Sequence, residues 1–265
     1  MLPVNEKRHD SESPEAFVQR LHEVLGGRRQ TPWGERLGSN KGTIYRMFQG
    51  EVPRWETLCA IQHAENVSLS WLLTGEGPPF LVTHRTTDAG CAEWVEARLE
   101  GADWIVYLVL APGGLHCLAF ARPAAFDARG RRVEYTAVEI LAGPAGRHTL
   151  SALEALPARE GLRIARIADG DAERIACGQV GTFGLLGEKG LLAGAVAADR
   201  GTLARLAGDG GLAAAARVPR AAEPSPSHDP LCRNAVRLSE AGRVVARATI
   251  AALLENEGRA WEDFY

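Results

Sequence analysis

Between Asn40 and Gln49 the chain sets amide, hydroxyl and cationic side chains close together: Asn40, Lys41, Thr43, Tyr45, Arg46 and Gln49. Asn and Gln can pair bidentately with the edge of adenine, and Arg or Lys can read guanine. Gln30 and Thr31 stand upstream, and Arg28, Arg29 and Arg54 flank the run with charge of the kind that phosphate attracts. Any one of these, taken alone, is an ordinary solvated side chain; the grouping is what sets them apart. Residues 28–54 hold six basic and two acidic residues, a local +4 within a chain of formal net charge -3. That concentration is the electrostatic footprint of a surface that meets a polyanion. The whole-chain balance, by contrast, excludes a protein that coats nucleic acid through bulk charge.

Positioning those side chains requires short, closely packed helices, and the sequence supplies their signals. Ser13 and Pro14 open a helix whose apolar residues Phe17, Leu21, Val24 and Leu25 recur at 3–4 spacing, and Gly26-Gly27 ends it. A second helix is expected over Thr31–Leu37 and a third over Asn40–Gln49, with the turn at Gly38. Gly34 is the small residue needed where the two pack, and Gly38 tolerates the positive φ of the turn. Trp33, Leu37, Ile44 and Met47 are the apolar residues that would lock the pair, giving a helix-turn-helix layout. Trp55–Glu65 and Ser70–Leu73 complete a helical region over residues 14–80.

The segment Gln30–Gly50 resembles the DNA-binding domain of phage CI-type repressors, a lambda-repressor-like all-α unit. The resemblance runs on through Gly50-Glu-Val-Pro53, Trp55-Glu-Thr-Leu58 and Val67–Gly77. Ser39 departs from it, standing where the family usually has an apolar residue. The resemblance implies that the third helix enters the major groove of double-stranded DNA with Asn40, Lys41, Thr43, Tyr45, Arg46 and Gln49 toward it. Gln30, Thr31, Arg28, Arg29 and Arg54 would then contact phosphate. It also implies a transcriptional regulator, repressor-like, acting as a dimer or higher oligomer on an operator.

Beyond residue 80 the expectations are coarser. The fold class is α+β: the all-α region is followed by an α+β regulatory or oligomerisation domain over 81–218. Its expected elements are a helix over Ala92–Leu99, strands over Asp103–Leu110, Leu115–Ala121 and Arg132–Leu141, a helix over His148–Leu156 and a strand over Leu162–Ile167. Pro112-Gly-Gly114 reads as a hairpin turn, and the Ala- and Gly-rich span 171–212 carries no clear pattern. Residues 219–230 form a Pro-rich linker, and 231–265 a C-terminal helix and tail.

In the LexA/CI group of repressors the C-terminal region is a self-cleaving Ser-Lys module. Ser151 and Lys189 have a compatible separation, but Ser151 lacks the family's Gly-Asp-Ser-Met context. A self-cleaving repressor is therefore an alternative, as is an adaptor whose helix-turn-helix does not bind DNA. No nucleotide-binding, zinc-protease or hydrolase motif occurs, so neither an enzyme nor a cofactor is expected. The five cysteines are scattered without a C-x-x-C pair, which reads as free thiols. His116 and Cys117 are neighbours on a strand and should face opposite ways, against a shared metal. No apolar run reaches about 18 residues and no apolar leader segment opens the chain, so a cytoplasmic protein without a membrane span is expected.

Overall fold

The computed structural model describes residues 13–100, 103–112, 114–128, 130–154, 156, 161–198, 201, 203 and 206. The chain divides into two units, 1–219 and 220–265, and every described residue belongs to the first. The expected linker at 219–230 and helix beyond it lie outside the described residues. Among the described residues no helix is long and apolar enough to cross a membrane.

The unit is mixed α/β, with a helical N-terminal part and a mixed sheet. Five helices come first: α1 (Pro14–Leu25), α2 (Gln30–Arg36), α3 (Lys41–Met47), α4 (Trp55–Glu65) and α5 (Leu69–Thr74). Ser13 caps α1 by accepting a hydrogen bond from the Ala16 amide at 3.2 Å. Phe17, Leu21, Val24 and Leu25 form its buried stripe. Its Arg20 is buried too, because its guanidinium donates to the carbonyls of Leu72 and Leu73 at 2.8 and 2.9 Å. A cation thereby satisfies the carbonyls left over at the end of α5.

After β1 (Thr83–His84) and α6 (Asp88–Leu99) comes an antiparallel meander, β2 (Ile105–Ala111), β3 (Gly114–Ala128) and β4 (Arg131–Ala142). Then follow α7 (Arg147–Leu153), β5 (Leu162–Arg166), α8 (Asp169–Ala176), α9 (Thr182–Leu186) and β6 (Val196–Ala197). The sheet order is β1-β4-β3-β2-β5-β6, with β1 parallel to β4 and β5 parallel to β2. Val106, Leu108 and Leu110 of β2 point into a core shared with α6 and α7. Tyr107 and Val109 point into a second core, with residues of α8 and α9. Both faces of β2 are covered, which is why it reads as one continuous apolar run.

Several boundaries differ from the sequence expectation, some for local and some for non-local reasons. The first sheet helix begins at Asp88 rather than Ala92, capped by Thr87, whose hydroxyl accepts from the Gly90 amide at 3.1 Å. The span without a clear pattern holds α8, α9 and β6. β3 runs to Ala128 instead of stopping at Ala121. Ala121 is its last residue paired with β2, so Pro123 lies on a stretch with only β4 beside it, where proline is tolerated. Residues 122–128 and 131–137 thus form a two-stranded ribbon, an arrangement of marginal stability alone. The helical part supports it. Phe126 packs against the helical core, and Tyr135 stacks on His63 of α4 with centroids 6.0 Å apart and planes 12° from parallel.

The expected divide after residue 80 is crossed by contacts as well. Phe80 is buried in the helical core, while its amide donates to the Gly178 carbonyl at 2.9 Å. On the other side of the sheet, α7 is anchored by Asp88. Its carboxylate accepts from the amides of Gly146, His148 and Thr149 at 2.7, 2.9 and 3.0 Å, and from the Thr149 hydroxyl at 2.6 Å. Burial alone would raise this carboxyl, but the bonds from Thr149, His148 and Gly146 outweigh it and hold it well below the usual carboxylate range.

Candidate nucleic-acid interface

Helices α2 and α3 meet without clearance. A Cβ at Gly34 would come within 2.4 Å of the Ile44 side chain, so only glycine permits this approach. Gly38 takes φ +76°, and the following Ser39 amide donates back to the Gly34 carbonyl at 3.0 Å. Trp33, Leu37, Ile44 and Met47 are all buried. Ser39 is buried too, and its backbone bond helps hold the turn without the apolar side chain expected there.

Burying Ile44 and Met47 leaves the opposite side of α3 in solvent. Lys41 and Tyr45, one turn apart, form one exposed strip, and Gly42 and Arg46 form the next. Tyr45 is 67% exposed, although large and aromatic. At Gly42 an added Cβ would meet only Asn40 Oδ1, at 3.5 Å, so this stretch of surface is bare. Thr43 is half-buried, and Gln49 is exposed in the turn beyond the helix rather than on it.

Asn40 is the cap of α3: its Oδ1 accepts from the Thr43 amide at 2.8 Å. That bond uses one of the two lone pairs of the oxygen a bidentate adenine contact requires. A cleft of about 280 Å³ runs beside α3. Asn40, Thr43 and Arg46 line it together with Val52, Pro53 and Arg54, which places Arg54 on the same surface. Arg46 stands 3.6 Å from Glu51, both ends more than 60% exposed, a pair that water screens to small effect.

Arg29 and Thr31 are exposed at the start of α2, where Gln30 is half-buried. Arg28 is not placed as expected. Its guanidinium makes two bonds to Glu65 at 2.8 and 2.9 Å and also donates to the Val24 and Leu25 carbonyls at 2.7 Å. It lies 4.3 Å from the centre of the Phe183 ring. Its charge is spent inside the protein, which removes it from the candidate phosphate contacts. Glu65, only 5% exposed, also accepts from Trp33 Nε1 at 2.8 Å. Nothing in the local sequence marks Glu65 as this hub, because its partners lie 32 and 37 residues away. Trp55 and Val52, 68% and 53% exposed, are apolar neighbours of Arg54 that the sequence reading did not place on the surface.

Ser151 and Lys189 are not brought together. Leu150 and Leu153 of α7 belong to the core on one sheet face, while Leu185 and Leu192, which bracket Lys189, belong to the core on the other. Cys59, Cys91, Cys117 and Cys177 are free thiols, and burial pushes Cys117 up to about 12. Among the described residues no cluster of three or more His, Cys, Asp or Glu is arranged to hold a metal. No protein-family model matches the chain, and neither a curated protein nor a solved structure does.

Proposed function

We propose that the protein is a sequence-specific DNA-binding transcriptional regulator of the phage-repressor kind, acting as a dimer or higher oligomer. Residues 14–80 serve as a helix-turn-helix domain of lambda-repressor-like type, with α3 as the helix laid in the major groove. The observation that carries this reading is the solvent face of α3, which is polar and basic although its other face is fully packed. The Gly34–Ile44 contact fixes α3 against α2, and a reading surface needs that rigidity. Lys41 and Arg46 supply charge and donors, Tyr45 and the Asn40 amide add contacts, and Gly42 lets the backbone approach. Arg29 and Arg54 neutralise phosphate, Gln30 and Thr31 hydrogen-bond to it, and two copies of the domain would double the contact on a palindromic operator.

Selection of bound sequences from a random DNA pool tests this directly, since it reports binding and half-site spacing together. Wild-type protein should lose affinity steeply as salt rises. Lys41→Ala and Arg46→Ala should each cost about 1–3 kcal/mol of binding if the side chain reads a base. A chain with no salt-dependent affinity for any selected duplex would instead be an adaptor that does not bind DNA.

A further inference from the structure

Behind α2, on the side turned toward the sheet, lies a cavity of about 630 Å³, a volume in the range of small-molecule sites. Trp33 and Arg36 of α2 and Leu37 just after it form one wall with Ala64 of α4. Tyr135 of β4 and Thr182, Phe183 and Leu186 of α9 form the other, and the Glu188–Lys189 turn closes it. The apolar part is thus aromatic and aliphatic on both sides.

The charges around the cavity balance. Arg28 and Glu65, both on the wall, satisfy each other. Of the rest, Arg36 and Lys189 are cations that make no ion pair among the described residues. Glu134 and Glu188 are anions, and Glu134 has only a 3.9 Å approach to the highly exposed Arg132. The wall also contains Thr182, 9% exposed, whose buried hydroxyl has no hydrogen-bond partner. Buried polar atoms without partners are rare and call for an explanation. A net anion or cation would leave two like-charged neighbours uncompensated, whereas a molecule carrying both charges would not.

We propose that this cavity is an effector site for a small zwitterion with an apolar body, the chemistry of a free aromatic or aliphatic amino acid. Its carboxylate is met by Arg36 and Lys189, its ammonium by Glu134 and Glu188, and its side chain by Tyr135 and Phe183. A ligand there touches the helical part and the sheet part at once. Because α2 and α3 have no clearance at Gly34, a shift of α2 is passed on to α3. The effect on DNA rests on the function proposed above; occupancy of the cavity does not.

Calorimetric titration and thermal melting of the full chain test the proposal, using L-tryptophan, L-phenylalanine and L-leucine as probes. Tryptamine, lacking the carboxylate, and indole-3-propionate, lacking the ammonium, are the controls. At least one amino acid should raise the melting temperature, with each control binding at least about tenfold more weakly, a difference readily resolved by titration. The double variant Arg36→Gln/Glu134→Gln changes two exposed side chains, so it should melt as wild type without ligand and bind at least about tenfold more weakly. The site is overturned if no amino acid binds at about 10 mM, if the controls match the amino acids, or if the double variant binds as wild type does. The effector role is overturned if the bound amino acid leaves the affinity for a selected duplex unchanged. Failure to bind any duplex, with or without amino acid, would sink the DNA reading, and the titration would still decide the site.

Discussion

Two helices of equal length, α3 and α7, are started in opposite ways. Helix α3 takes its cap from the residue before it, Asn40, and its turn from Gly38 and Gly34 close by. Helix α7 follows Gly146, which has no side chain to offer, and its first amides are satisfied by Asp88 from 58 to 61 residues away. Each solution meets the same need, since the first amides of any helix lack partners within it. They differ in what a single substitution can undo. A local cap affects one helix, whereas Asp88 ties α7 to α6 and so supports one whole face of the sheet.

That contrast sets the order of expected effects. Asp88→Ala strands three amides and a hydroxyl, and should cost about 3 kcal/mol of unfolding free energy, measured by urea titration. A loss no larger than that of a surface mutation would show that the sheet face does not depend on it. Gly34→Ala forces a methyl into Ile44 and should cost about 2 kcal/mol, partly recovered when combined with Ile44→Val. Thermal melting of the two single variants and the double variant checks that coupling. Asn40→Ala removes only the cap of α3 and should cost about 1 kcal/mol, while Asn40→Asp keeps it. Equal losses from the two would mean that the Thr43 bond is not what Asn40 contributes.

The same comparison has a pH dependence. The Asp88 carboxyl titrates lower in the folded than in the unfolded chain. Its contribution is therefore complete above the unfolded value of about 4 and is lost as pH falls toward the lower folded one. The stability gap between wild type and Asp88→Asn should be flat above about pH 5 and close as acid is added below about pH 4. A gap that widened on acidification would reverse the sign. Asn40, which does not titrate, gives no such window.

The distance over which a partner acts also explains what was legible in the residues. Helix α1, the α2–α3 pair and the β2–β3 hairpin lay in plain view, because their caps, glycines and periodicity are nearest-neighbour features. The exposure of Lys41, Tyr45 and Arg46 followed from the burial of Ile44 and Met47. The inward role of Arg28 did not, since Glu65 and Phe183 that engage it are distant in sequence. The strand expected over Leu115–Ala121 continues through Pro123 to Ala128, because the position of Pro123 beyond the last β2 pairing is a property of the sheet. Helices α8 and α9 were hidden by an Ala- and Gly-rich composition that suits short helices and turns alike.

The ribbon of β3 and β4 bears on how this molecule can be recombined. Ala128 and Val133 stand against Gly38, within 3.0 and 3.1 Å of where a Cβ would sit, and Phe126 and Tyr135 pack on the ring of His63, which stays exposed. The helical part therefore borrows some of its cover from the sheet part and is not a portable cassette. Grafted onto an unrelated body, residues 14–80 would lose the cover over Gly38 and the ring partners of His63, so drift at either end of the ribbon must proceed in step with the helices it touches.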